Sequence, residues 1–280
     1  MADYAKDVLV ETQWVEDHLN DDSIRIVEVD ENPALYAGSH IPGAIGFDWK
    51  KDLQDQVKRD FLGPEDFAAL MGGHGISNDH TIVLYGDRNN WFAAYTYWYF
   101  KYYGHGNVKL VNGPREKWIS ENRPTTQDVP SHDSATFTVS GQDDAIRAKR
   151  DEVAAALAGS HRLVDVRSPQ EFSGELIAMP GYEQEGAQRG GHIPTAKNIP
   201  WAKAVNEDGT FKSPQELREL YSSQGITADK DIVAYCRIGE RSSHTWFVLH
   251  ELLGRDDVRN YDGSWTEWGN LVNVPIEKDV

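Results

Sequence analysis

The strongest constraint on the fold of this chain is that its second half repeats its first. Ile76 and Ile226, Tyr85 and Tyr235, Gly113 and Gly263, and Trp118 and Trp268 each stand 150 residues apart, and the His-Ile-Pro turns at His40 and His192 stand 152 apart. Each half runs in one order: a β-leaning stretch (24–30; 163–166), the His-Ile-Pro turn, and a proline-led helical stretch (Pro64 to Met71; Pro214 to Tyr221). A Gly-Ile step, an apolar strand (81–85; 232–235), a loop, an apolar helix and a further strand (108–111; 258–261) follow. Short apolar runs between helices are the pattern of strands buried on both faces of a parallel sheet. Two such copies predict an α/β fold of two similar domains, each a mostly parallel sheet flanked by helices on both faces. The expected boundaries are 1–121 and 145–280, joined by a linker at 122–144 rich in Pro, Thr, Ser and Asp, with Phe137 and Val139 as its anchors.

The copies differ in two places. Between its first strand and its His-Ile-Pro turn, the second copy carries an insertion from Ser173 to Arg189, rich in Gly, Glu, Gln and Pro, which is expected to be an exposed loop near the site. After the apolar strand, Tyr235-Cys236-Arg237 stands where the first copy has Tyr85-Gly86-Asp87. Cys236, the only cysteine in 280 residues, opens the loop before a helix expected from Ser243 to Leu253, with Gly254 as its stop. Backbone N–H groups and the positive end of the helix dipole converge in such a turn and favour an anion, as a thiolate is. Together with Arg237 and Arg241 they are expected to lower the thiol pKa from about 8.5 toward roughly 7 or less. One active site follows, in the second domain; the first lacks a nucleophile and is expected to supply one wall.

Composition removes other classes. With 45 acidic against 28 basic residues and a net charge of −17, a nucleic-acid or anionic-membrane surface is excluded. A single cysteine leaves no intramolecular disulfide and fits a reducing, cytoplasmic setting. The N-terminus lacks the basic flank and apolar core of a signal peptide, and the apolar window from Trp91 to Tyr103 is too short to span a bilayer, so it is expected to be a buried aromatic helix. His40 and His192 occupy matching turns in both copies and are expected to be structural, whereas His74 and His80 lack ligand partners, so no metal is expected.

The stretches Val164-Asp165-Val166-Arg167-Ser168, Gly191-His192-Ile193-Pro194, Cys236-Arg237-Ile238-Gly239-Glu240-Arg241-Ser242 and Asp262-Gly263-Ser264-Trp265 resemble the rhodanese family of sulfurtransferases in its tandem form. The loop is similar to the thiosulfate branch, in which arginine follows the nucleophile. The resemblance implies that Cys236 is catalytic, carrying a persulfide loaded from thiosulfate and discharged to cyanide, a small thiol or a reduced protein dithiol, with no cofactor. It implies a substrate-binding loop of Arg237, Ile238, Gly239, Glu240, Arg241 and Ser242, supported by Asp165, Arg167, Trp91 and Phe211. Within that loop Glu240 is expected to face solvent or pair with an arginine, and Arg167 to form an ion pair with Asp165. Ile238 departs from the lysine of many thiosulfate-type members, and Glu171 from the arginine of some, which assigns the anion to the loop amides, Arg237 and Arg241. The alternatives are a 3-mercaptopyruvate sulfurtransferase, a non-turnover persulfide carrier and a cysteine phosphatase. Phosphatase loops place five residues between cysteine and arginine, whereas four separate Cys236 from Arg241, a smaller ring suited to one sulfur atom.

Overall fold

The computed structural model describes residues 4–227 and 229–278. Among the described residues nine strands, β1 (Leu9–Val10), β2 (Ile24–Glu28), β3 (Ile45–Gly46), β4 (Thr81–Tyr85), β5 (Val108–Val111), β6 (His161–Asp165), β7 (Lys197–Asn198), β8 (Asp231–Tyr235) and β9 (Val258–Tyr261), form two sheets. The first has the order β1-β5-β4-β2-β3 and the second β7-β6-β8-β9, and every strand pairing in both is parallel. Both are flanked by helices. The apolar runs Ile82-Val83-Leu84 and Ile232-Val233-Ala234 lie in the centre of their sheets, where burial on both faces is expected.

The repeat extends to single hydrogen bonds. The hydroxyl of Tyr85, at the end of β4, accepts from Ile41 N–H at 2.9 Å, and that of Tyr235, at the end of β8, accepts from Ile193 N–H at 3.1 Å. His40 stacks on Tyr36 and His192 on Phe172, with ring centroids 4.0 and 3.6 Å apart. These histidines brace the two matching turns, as their duplication suggests.

The compact units depart from contiguous halves in three places. The N-terminal unit takes Val8–Asp143 together with Val205–Phe211, and the C-terminal unit takes the segment through Asp7, Asp144–Ala204 and Lys212–Val280. Residues 122–143 therefore lie along the N-terminal unit as a strap. Thr126 bridges to His40, Ala135 N–H bonds Gly72 O at 2.9 Å, and the buried Phe137 meets Phe67, Phe100 and His105. The buried ring and these backbone hydrogen bonds together contribute against the entropy of ordering a polar segment. Ala5 N–H bonds Leu252 O at 2.9 Å, which places the chain start in the C-terminal unit.

Helix α1 (Pro64–Gly73) and the aromatic helix α2 (Trp91–Tyr102) belong to the N-terminal unit, and all of α2 except Lys101 is buried. In the C-terminal unit, α3 (Pro214–Ser222) is capped by Ser213, whose hydroxyl accepts from Glu216 N–H while Glu216 reaches back. Helix α4 starts three residues before the expected Ser243. It spans Glu240–Trp246 and continues as a π-helical stretch, Phe247–Leu252, before Gly254 at φ +72°. The early start has a local cause: Gly239 at φ +100° turns the chain, and Ser243 N–H already bonds Gly239 O at 3.0 Å. No helix among the described residues is long and apolar enough to cross a membrane.

Candidate active site

Strand order places the site. From β6 the chain goes outward to β7, returns across the sheet to β8, and then proceeds to β9, so the progression reverses between β6 and β8. A crevice opens at the carboxyl ends of strands at such a switch point. Asp165 and Tyr235 are the paired residues there, and Cys236 is the next residue after β8.

The loop is built on backbone fit. At Gly239 a side chain would be strained by the positive φ, and a Cβ would lie 2.6 Å from Asp262 Cα. The following turn holds the loop from the other side. Cys236 N–H donates to Ser264 Oγ at 3.0 Å, and the carbonyls of Cys236 and Arg237 accept from Trp265 and Thr266 N–H, both at 3.0 Å. Asn260, fully buried on β9, donates to Gly239 O at 3.1 Å and Ser243 Oγ at 2.8 Å, and accepts from Ser242 Oγ at 2.6 Å. Sequence reasoning missed Asn260; its signal is an amide in an otherwise buried strand.

Around the sulfur, Gly239 N–H donates to Sγ at 3.1 Å, and the thiol donates to Glu240 Oε2 at 3.2 Å. Ser242 Oγ lies 3.5 Å from Sγ, but its single hydrogen is used by Asn260. Of the two expectations for Glu240, pairing with an arginine holds and facing solvent does not: it is fully buried, and its carboxylate is folded into the loop. Oε2 also accepts from Ile238 N–H at 3.3 Å, and Oε1 lies 3.2 Å from Arg237 Nη2 and 3.7 Å from Arg241 Nε.

The thiol pKa also moves opposite to expectation. Burial pushes the Cys236 thiol up, the Glu240 charge adds to that, and Arg241 and the Ser242 backbone N–H offset only part of it. A helix end favours a thiolate, but full desolvation and a carboxylate in contact outweigh it.

Arg237 and Arg241 are both 3% exposed. Arg237 Nη2 meets Glu185 at 3.1 Å, and its guanidinium carbon stands 4.1 Å from the centre of the Tyr182 ring. Both residues come from the insertion, which therefore folds over the cysteine loop instead of standing free; Thr266 Oγ also bonds Glu185 O at 3.1 Å. Arg241 forms a bidentate pair with Glu171 at 3.0 and 3.1 Å. Burial would raise Glu171, yet Arg241, Arg167 and Ser168 N–H outweigh it and hold the carboxyl at about 2. Arg167 is paired with Asp165 through bonds of 2.6 to 3.1 Å, donates to Gly191 O at 2.7 Å and lies over Trp265, a structural ion pair as expected. Arg237 Nε and Nη1 and Arg241 Nε are buried without a hydrogen-bond acceptor among the described residues. Trp91 and Phe211 belong to the N-terminal unit, where Trp91 opens α2 against Phe92 and Phe211 N–H bonds Asn112 at 3.0 Å.

The model of the rhodanese-like domain matches twice, over residues 11–121 and 149–271. The chain belongs to the rhodanese-like domain family. A putative thiosulfate sulfurtransferase of Haloferax volcanii is 60% identical over 282 residues, covering 99% of this chain and 98% of that protein. The sulfur carrier protein TtuD of Thermus thermophilus is 61% identical over 276 residues, covering 97% of each. A solved structure of EanB in a persulfide tetrahedral intermediate state with ergothioneine superposes with a TM-score of 0.84 at 26% identity, covering 97% of this chain and 70% of that one.

The first rhodanese-like domain carries a turn at the equivalent place with its charges inverted. By the 150-residue offset, Gly86 stands at Cys236, Asp87 at Arg237 and Asn90 at Glu240. Asn90 closes the loop on itself, accepting from Gly86 N–H at 2.8 Å and donating to Val111 O and Gly113 O at 2.9 Å. Burial raises Asp87 to about 7, and burial with Glu28 raises Asp30 to about 9, so buried acids line this turn. A Cβ at Gly86 would sit 2.1 Å from Val29 O. Gly86→Cys is therefore expected to cost ~1–3 kcal/mol by overpacking and to create no second reactive thiol. Thermal unfolding with thiol titration of Gly86→Cys in a Cys236→Ser background tests this; a stable protein that takes up sulfur would refute it.

Proposed function

We propose that this protein is a thiosulfate sulfurtransferase working by double displacement. The Cys236 sulfur bonds to the outer sulfur of thiosulfate, the sulfur–sulfur bond of the donor breaks, and sulfite leaves with the electron pair. The resulting Cys236 persulfide passes its outer sulfur to cyanide, a small thiol or a reduced protein dithiol. One observation carries this reading: a lone buried sulfur at a strand-to-helix turn, beside three buried guanidinium N–H groups that lack acceptors among the described residues. Such donors call for an anion. A reducing compartment such as the cytoplasm suits the unpaired thiol.

A persulfide carrier is the second reading, favoured by the name of the Thermus thermophilus relative. The test presents thiosulfate and 3-mercaptopyruvate in turn, recording intact mass after each donor alone and turnover with a common acceptor. Thiosulfate is expected to add one sulfur atom and to support many turnovers. Loading by 3-mercaptopyruvate alone would move the assignment to that branch, and one sulfur per chain without turnover would make the protein a carrier.

A further inference from the structure

The thiol faces a problem that the loop itself resolves. A buried Cys236 held above the ordinary thiol range is sealed from bulk solvent, Gly239 N–H can only donate, and the Ser242 hydroxyl, which donates to Asn260, is too weak a base to take the proton. Glu240 Oε2, 3.2 Å from Sγ, is the carboxylate oxygen in direct contact with the reacting atom. We propose that Glu240 is a catalytic residue of the sulfur transfer, taking the Cys236 proton as Sγ attacks the donor and holding it for the lifetime of the persulfide. This rests on the sulfurtransferase reading above.

The step balances. Thiol, Glu240 carboxylate and thiosulfate dianion become persulfide anion, protonated Glu240 and sulfite dianion. When cyanide attacks the outer sulfur, thiocyanate leaves, Sγ departs as thiolate and recovers its proton from Glu240, which restores the resting pair. The proton has a second effect. In the resting loop Arg237 Nη2 is shared by Glu240 and Glu185, and Arg241 is bound to Glu171. A proton on Glu240 removes one of the two counter-charges from Arg237 just as a dianion needs it, so deprotonation of the thiol and capture of the anion are coupled. The other charged pair facing the loop, Arg147 with Asp262 at 3.0 Å, is balanced in both states.

The test uses Glu240→Gln, which keeps the shape and cannot accept the proton. Sulfite release in a single turnover with thiosulfate is expected to slow by about 100-fold near neutral pH. Its rate should then climb about tenfold per pH unit as free thiolate forms, where the wild type is nearly flat. Formate added to Glu240→Ala should recover part of the lost rate, which a purely structural role would not allow. Alkylation of Cys236 by iodoacetamide reads the same proton step without a sulfur donor and is expected to show the same contrast in pH dependence. Faster loading or alkylation of Glu240→Gln would mark Glu240 as no more than a repelling charge and overturn the proposal. So would a wild-type alkylation profile of unit slope, which decides the matter even if the variants do not fold. A wild type that fails to gain sulfur from thiosulfate, yet shows the flat alkylation profile, overturns the donor assignment and leaves the proton transfer standing.

Discussion

Cys236→Ser is expected to leave a folded protein that neither gains sulfur from thiosulfate nor turns over. The serine hydroxyl can accept from Gly239 N–H and donate to Glu240 as the thiol does, so the loop keeps its bonds. Its oxygen cannot form the persulfide, and this chain has no second cysteine to substitute. Turnover should fall at least ~10³-fold, because the covalent route is closed rather than slowed. Intact mass after thiosulfate treatment, with melting temperature as the control for folding, checks it. Sulfur retained on the variant would remove Cys236 from the mechanism.

The second large effect concerns stability. Glu171→Gln or Arg241→Met is expected to destabilise the C-terminal unit by ~3–5 kcal/mol, since either leaves one buried charge without its partner. Both side chains are almost fully buried, at 2% and 3% exposure, so solvent screens the pair little. The melting temperature should drop by roughly 10 °C. Arg241 freed from Glu171 would also draw on Glu240, now 3.7 Å away, and disturb its bond to Cys236. Glu171→Leu combined with Arg241→Met should recover much of the stability without the activity, as apolar replacement of a buried pair often does. Single variants that melt with the wild type would contradict this. The pair also sets an acid limit. With the Glu171 carboxyl held at about 2 against an ordinary 4.5, its contribution is complete above the ordinary value and is lost as pH falls toward 2.

These expectations change what Arg241 is for. From its place in the loop it looks like a ligand for the substrate anion. Paired to Glu171, it is first a strut between the loop and the segment after β6, and Arg237 is the arginine with more unpaired donors. The same pairing accounts for Glu171 itself, where the resemblance implies an arginine in some thiosulfate-type members: here that position supplies the anion to a fixed cation.

Much was legible in the chain alone because it depends on order and spacing. The 150-residue repeat determined two parallel α/β units. The apolar run before Cys236 and the helical pattern after it determined a cysteine at a strand end, and Gly86 marked the other copy as lacking one. Those features follow from backbone periodicity, which neighbouring residues carry. What only the tertiary structure decided is how charges far apart in sequence, or on adjacent helical turns, compensate one another once buried. Glu171 meets Arg241 across 70 residues, the insertion sends Glu185 and Tyr182 onto Arg237, and Glu240 turns inward to the thiol. Spacing predicts a turn that attracts an anion; desolvation and one internal carboxylate push the thiol pKa up instead.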